Sequence, residues 1–381
     1  MEYLLSNNQK RLLSVLKTFL KKEEVEKKNR FFEQDEQLLA DLFQKFAAEG
    51  FLGIPFASKY GGSEGGVIDA VIILEELARS SFPLVLEVAT SWMFGGNIIN
   101  IAGNENQKEA YLPEIIRGQL RTSMALTEPE AGSDAAAIKT VARKEKNDFI
   151  IDGQKTFISG ANKANIIVVA ARTDETVPKQ EGISMFVVDS RTPGIEMTKL
   201  PALGRKTLST FHIFFDKVQI PEENMLGKLN EGWKNLLKIL AKERIFSAAM
   251  STGGSQAVLE TLIRFVKERK VAGTPLAKFQ SIAHKISDIS IAVTAAKLLT
   301  YDAAYEADHQ SSLDSIKPSM AKTFAGENWI RASQEGMEIM GSFGYLPEYD
   351  MERFLRDARL ATIAGGTAEI QRNIIARGLG L

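Results

Sequence analysis

The sequence predicts an α+β chain: an N-terminal helical domain, a middle antiparallel β-domain and a C-terminal helical bundle. Three observations predict it. Apolar residues recur at helical spacing to about residue 118; runs rich in Val, Ile, Thr and Phe, bounded by Gly, Pro, Asp and Asn, fill the middle; helical spacing returns after Gly227 and lasts to the end. Helices, then strands, then helices place a β-module between two helical parts that share a core.

In the first domain, residues 1–120, Leu12, Val15, Leu16 and Leu20 form one helical stripe, and Leu38, Leu39, Leu42, Phe43 and Phe46 another. Loops are expected at Pro55 to Gly66, where KYGGSEGG cannot hold a helix, and around Gly103 to Asn106. The second domain, 121–227, carries the strand-like runs Phe149 to Ile151, Ile166 to Ala170, Ile183 to Val188 and Phe211 to Phe215. The third, 228–381, opens a long helix with Trp233, Leu236, Leu237 and Leu240. Gly253 and Gly254 interrupt its pattern, which implies close helix packing.

Composition narrows the chemistry. Among 381 residues, 47 Lys and Arg against 48 Asp and Glu leave a net charge of -1, too small a field to gather nucleic acid or an anionic membrane. With no cysteine, thiolate nucleophiles and disulfides are excluded. The three histidines, His212, His284 and His309, have no HExxH or HxxxH neighbourhood, so no metal centre is expected. The N-terminus turns charged before any long apolar run and lacks a small-residue cleavage site. No stretch is expected to approach the ~20 apolar residues of a spanning helix. A cytoplasmic protein with a small-molecule partner is the expectation.

The most informative stretch is MALTEPEAGSD, Met124 to Asp134. It gathers Thr127, Gly132 and Ser133 in a turn able to present backbone N–H groups to a polar heteroaromatic edge or a phosphate. Alone it equally suits a capped loop. It is followed by KTFISGANKA (Lys155 to Ala164), by LPALGRKTLSTFHIFFDKVQIPEENMLG (Leu200 to Gly227) and by RDARLATIAGGTAEIQRNIIARGLG (Arg356 to Gly380). In that order and spacing, and with the YGG loop at Tyr60, these segments resemble the acyl-CoA dehydrogenase family over essentially the whole chain.

The resemblance implies FAD held between the β-domain and the C-terminal helices, in a homotetramer or homodimer whose neighbouring subunit completes the cofactor site. Met124, Leu126, Thr127, Gly132 and Ser133 would line the flavin, with Thr127 at its edge. Phe157 and Ile158 stand at the ring-stacking segment, and Ser159 at the position that reaches flavin N5. Arg269, Gln280, Glu338, Gly341, Thr367 and Glu369 match contacts to the adenine dinucleotide, some across a subunit boundary. Ala272 stands where phenylalanine is usual, and Glu338 where glutamine is usual.

Removing a proton beside a thioester carbonyl needs a positioned base, and a carboxylate suits a dry site. Many members carry that glutamate immediately before the GT of the C-terminal motif; here the residue is Gly365. Glu243 is the alternative. Its helical neighbours Ile239, Leu240, Phe246 and Ser247 place it on an apolar face without a basic partner along the helix. An unpaired buried carboxylate costs on the order of several kcal/mol, tolerated mainly where desolvation tunes an acid or base. A structural ion pair with a distant basic residue is the other explanation. Isovaleryl-CoA and long-chain type members carry their glutamate at this helix position and a glycine at the other, and this sequence resembles them.

By the same resemblance, the Gly365 N–H holds the thioester oxygen, Gly366 and Ser133 lie beside the substrate, and Arg244 shapes its thioester end. Arg244 serves equally well as a buried structural arginine. The implied activity is FAD-dependent α,β-dehydrogenation of an acyl-CoA to the trans-2-enoyl-CoA in fatty-acid metabolism, with electrons passed to an electron-transferring flavoprotein. Two alternatives stay open: an enoyl-CoA reductase or acyl-carrier-protein dehydrogenase on the same scaffold, and a non-enzymatic subunit. The acyl pocket is expected around Leu84 to Ile101.

Overall fold

A computed structural model describes residues 5–309 and 315–381; the first four residues of the expected N-terminal domain lie outside it. Seven helices come first: α1 (Asn7–Lys22), α2 (Val25–Lys28), α3 (Glu36–Ala48), α4 (Val67–Ser80), α5 (Phe82–Ser91), α6 (Asn97–Ala102) and α7 (Glu105–Ile116). Their starts are written in polar caps. The Ser6, Asp35, Ser81 and Asn104 side chains accept backbone N–H groups of α1, α3, α5 and α7 that have no partner within the helix.

Strands β1 (Thr122–Ala125), β2 (Val141–Glu145), β3 (Asp148–Ser159), β4 (Ile166–Arg172), β5 (Ile183–Asp189), β6 (Ile195–Leu200), β7 (Thr210–Pro221) and β8 (Met225–Leu226) form one sheet, ordered β6-β7-β3-β2-β4-β5-β8 with β1 beside β4. Most pairings are antiparallel as expected, but β1 runs parallel to β4 from Thr122↔Ile166 to Ala125↔Val169. The chain reverses twice before β4, at the β2–β3 hairpin and again between Ser159 and Ile166, so β1 and β4 point the same way. β4 is buried along its whole length, which is why it reads as the unbroken apolar run IIVVAA.

Then come α8 (Gly232–Glu268), the short strands β9 (Lys270–Val271) and β10 (Thr274–Pro275), and the helices α9 (Gln280–His309), α10 (Lys317–Met340), α11 (Met351–Ala358) and α12 (Ala368–Gly378). The two helical blocks share one core, running from Leu16 and Phe43 to Trp329 and Met351, while the sheet keeps a second core around Phe149, Phe186 and Ile213. The glycine pair in α8 lets this packing close. A β-carbon at Gly253 would stand 2.1 Å from the Glu75 carbonyl oxygen, and one at Gly254 2.4 Å from the Trp329 ring. Asp308, near the end of α9, accepts the Val67 and Ile68 N–H groups at 2.6 and 3.1 Å and so caps α4 from across the bundle.

One expectation about composition is corrected. Phe82–Ala102 is a continuous 21-residue helical run long and apolar enough to cross a membrane, but nearly all of it is buried inside the protein. It is a core element, α5 and α6 joined by one π-helical turn at Trp92–Gly96. Interspersed Glu87, Thr90, Ser91 and Asn97 hide its length in the sequence.

Candidate active site

The site begins where the sheet opens. One edge of β4 serves two strands: β1 covers residues 166–169, and β2 meets it only at Val141↔Arg172. Between Ala125 and Val141 the chain leaves the sheet as the TEPEAGSD loop. A buried ion pair fixes the shape of that loop. Lys155 Nζ, on β3, donates to the Leu126 carbonyl at 2.9 Å and to Glu128 Oε1 at 2.8 Å, while Glu128 accepts the Lys139 and Thr140 N–H groups at 2.6 and 2.9 Å. Burial pushes the Lys155 ammonium down to about 8, with Glu128 opposing. The Thr156 N–H completes the tie by donating to the Thr127 carbonyl at 2.9 Å.

Phe157 follows that tie. The β3–β7 register slips between Lys155 and Ile158, and within this bulge Phe157 adopts φ 59° with its side chain 67% exposed. A bulky residue with positive φ is uncommon and costs about 1–3 kcal/mol. The bulge turns the Phe157 ring out of the sheet beside the 124–133 loop and sends Ile158, 2% exposed, into the sheet core. The expectation that Ile158 contacts the cofactor is therefore limited to its backbone. Met124, Leu126, Thr127 and Ser159 are half-buried, and Gly132 and Ser133 are exposed. Among the described residues, no acceptor meets the N–H groups of Thr127, Gly132 and Ser133. An outward aromatic ring beside free N–H donors fits the stacking face and polar edge of an isoalloxazine.

Glu243, on α8, lies against the C-terminal motif. A β-carbon built on Gly365 would stand 2.6 Å from Glu243 Oε1 and 3.5 Å from Lys322 Nζ. Glu243 is half-buried on α8. Burial pushes the Glu243 carboxyl above the usual carboxylate range, and the charges of Lys322 and Arg244 oppose that shift. Arg244 is held below its ordinary value by burial, with Glu243 opposing, and its Nε is buried without a partner. Gly365 and Gly366 take φ 64° and 84°, a left-handed pair that glycine adopts readily. Among the described residues, no acceptor meets the N–H groups of Gly365, Gly366 and Thr367. A base and a row of free donors thus face one space.

The adenine-dinucleotide candidates divide. Thr367 caps α12, its hydroxyl accepting the Ile370 N–H at 3.3 Å, and Glu369 is exposed in the first turn. Arg269, Gln280, Glu338 and Gly341 are exposed at the opposite end of α8, where Arg269 lies 4.8 Å over the Phe343 ring. At 1.5 Å per residue, Arg269 stands about 40 Å along the helix from Glu243. These four do not share a pocket with this chain's own Glu243.

Sequence reasoning missed Lys322, Gln371 and the Lys155–Glu128 pair. Lys322 was findable: its neighbours at three and four residues' distance, Pro318, Ser319, Ala325 and Gly326, are all small or apolar, the same sign that singled out Glu243. They are all buried. The expectation that Glu243 lacks a basic partner along its helix overlooked charge brought from α10. Glu243 nevertheless forms no ion pair among the described residues; Lys322 and Arg244 act on it through space. Lys155 carried no such sign, because in a strand the ion pair depends on a loop 27 residues away.

Models of three domains match the chain in order: "Acyl-CoA dehydrogenase, N-terminal domain" over residues 6–119, the "middle domain" over 123–218 and the "C-terminal domain" over 230–380. The "Probable acyl-CoA dehydrogenase YngJ" of Bacillus subtilis is 34% identical over 380 residues, covering 100% of each chain. The "Caffeyl-CoA reductase-Etf complex subunit CarC" of Acetobacterium woodii is 36% identical over 345 residues, 90% of each chain. Among solved structures, butyryl-CoA dehydrogenase from Megasphaera elsdenii superposes with a TM-score of 0.92 at 30% identity, covering 99% of each chain.

Proposed function

Because this chain belongs to the acyl-CoA dehydrogenase family of oxidoreductases, we propose that it oxidises the Cα–Cβ bond of an acyl-CoA thioester to the trans-2-enoyl-CoA. The observation that carries this reading is the half-buried Glu243 carboxylate lying against Gly365, beside the free N–H groups of residues 365–367.

Glu243 takes the α-proton. Its raised affinity for protons suits it to a weakly acidic carbon acid, and the absence of a side chain at Gly365 leaves the carboxylate room to approach. The thioester oxygen, which gains negative charge as that proton leaves, is met by the Gly365 N–H, with the Gly366 N–H alongside. Arg244 shapes the thioester end, and Ser133 and Gly366 flank the substrate. FAD, when bound, supplies the acceptor for the hydride that leaves Cβ. Met124, Leu126, Thr127, Gly132 and Ser133 would hold its ring against Phe157, with Ser159 near N5 and Thr367 and Glu369 at the nucleotide. Arg269, Gln280, Glu338 and Gly341 would serve the cofactor of a neighbouring subunit in a homotetramer or homodimer. Their place about 40 Å along α8 from Glu243 supports that assignment.

Electrons would leave to an electron-transferring flavoprotein, a partner type that the name of the Acetobacterium relative carries. The same name supports a second reading of direction, in which the site reduces an enoyl-CoA. We place the protein in the cytoplasm. Mixing the purified yellow protein anaerobically with a panel of acyl-CoA thioesters tests the reading: at least one should bleach the flavin band, and bleaching by none would refute dehydrogenation. Re-oxidation by added electron-transferring flavoprotein, in air-free buffer, tests the partner.

A further inference from the structure

We propose that Lys322 is a positioning residue for this reaction: its ammonium gathers three consecutive carbonyls of the glycine loop, turns the opposite N–H groups toward the thioester oxygen, and sets a fixed positive charge beside Glu243. The proposal rests on the reaction proposed above.

Lys322 Nζ donates to the carbonyls of Ala364 at 2.6 Å, Gly365 at 2.8 Å and Gly366 at 2.6 Å. An ammonium has three donors, and all three are used. In a trans peptide the N–H leaves on the side opposite the C=O. Drawing these three carbonyls toward α10 therefore turns the N–H groups of Gly365, Gly366 and Thr367 away from α10, and no acceptor among the described residues meets them. Lys322 is what makes the loop an anion-binding concavity.

Holding a loop does not require a charge. Gln371, fully buried on α12, already donates to the Gly365 and Gly366 carbonyls at 3.3 and 3.1 Å, its own oxygen accepting the Ser319 hydroxyl at 2.9 Å. Lys322 is 4% exposed and forms no ion pair among the described residues. Burying an ammonium that way is costly, so a neutral side chain would serve structure better. The charge has a use at Glu243, since both groups lie within 3.5 Å of the same point beside Gly365.

The surrounding charges are few. Glu243 on α8 senses Lys322 from α10 and Arg244 from its own helix. Lys322 senses Glu243, Arg244 and Arg205 from the β6–β7 loop, and burial pushes it down to about 8. Arg205 in turn donates its N–H to Asp357 of α11 at 2.5 Å.

The test uses the FAD-loaded protein and the Lys322→Met and Lys322→Gln variants. Two quantities are read: the pH profile of flavin reduction by the best acyl-CoA of the panel, and the affinity for that thioester's enoyl product relative to an S-alkyl-CoA thioether lacking the carbonyl. Lys322→Met should reduce the rate by about tenfold or more and move the acid limb up by about one pH unit. It should also weaken the enoyl thioester but not the thioether. Lys322→Gln, which keeps donors and loses charge, should hold the thioester better than Lys322→Met while showing the same shifted limb. A wild-type limb and a wild-type thioester-to-thioether ratio in both variants would overturn the proposal. If Lys322→Met does not fold, Lys322→Gln alone decides through its acid limb. If wild-type protein is reduced by no acyl-CoA, the reaction is refuted, and the binding ratio, read with the tightest-binding thioester of the panel and needing no turnover, still decides the role of Lys322.

Discussion

Glu243 and Gly365 occupy one space: a β-carbon on Gly365 would stand 2.6 Å from Glu243 Oε1, well inside van der Waals contact. The glycine of the C-terminal motif and the glutamate of α8 are therefore a single device, in which the absence of one side chain admits the other. Gly365→Ala should cost about 1–3 kcal/mol of stability, because φ is 64° there as well. It should also lower the rate of flavin reduction by displacing the carboxylate, while bound flavin is retained. Urea unfolding and anaerobic stopped-flow absorbance check the two halves; an alanine variant that reduces at the wild-type rate would sever the link.

Phe157 holds positive φ with its ring mostly exposed and in no aromatic contact among the described residues. Replacing it by glycine removes the left-handed penalty at the bulge, so the flavin-free protein should lose no more than about 0.5 kcal/mol. The same change should weaken FAD by about tenfold through loss of the stacking face. Titration of apoprotein with FAD, beside a denaturation curve without it, separates the effects. A large loss of apoprotein stability would mean that the ring is structural.

The Lys155–Glu128 pair should behave oppositely. Lys155→Met leaves a buried carboxylate without its partner, which costs about 3–5 kcal/mol. Adding Glu128→Leu should recover part of that loss. If the single variant unfolds at the wild-type urea midpoint, the pair does not fix the cofactor loop.

The pH dependence follows from Glu243. A base works ionised, so flavin reduction should rise with pH through a limb above 4.5, the ordinary value of this carboxyl, because burial raises it. The same shift fixes the sign for stability. A carboxyl raised in the folded state adds most to stability below its unfolded value and loses that contribution as pH rises through its folded one. The pH range that activates Glu243 is thus the range where it supports the fold least. Single-turnover rates across pH check this, and a limb at or below 4.5 would show that the carboxyl is not desolvated.

The architecture was legible because its signals are local. Helical spacing in α1, α3 and α8 and the apolar run of β4 each lie within a few residues of one another. The parallel β1–β4 pairing was not, because it depends on the order in which the chain returns to the sheet. At the site, the apolar neighbours of Glu243 and the glycine in place of an acid pointed to one another. Lys322 carried the same sign and went unnoticed, since its partners are backbone carbonyls, which every residue has and no sequence distinguishes. Ile158 shows the opposite failure: a bulge at its neighbour flips it to the core face of the sheet.

Glu243→Gln tests the central claim most directly. It keeps the shape of the side chain and removes the base, so the purified variant should remain yellow and bind acyl-CoA while flavin bleaching falls by at least ~100-fold. Bleaching at a rate close to that of the unaltered protein would contradict the account, and another group would then have to take the α-proton.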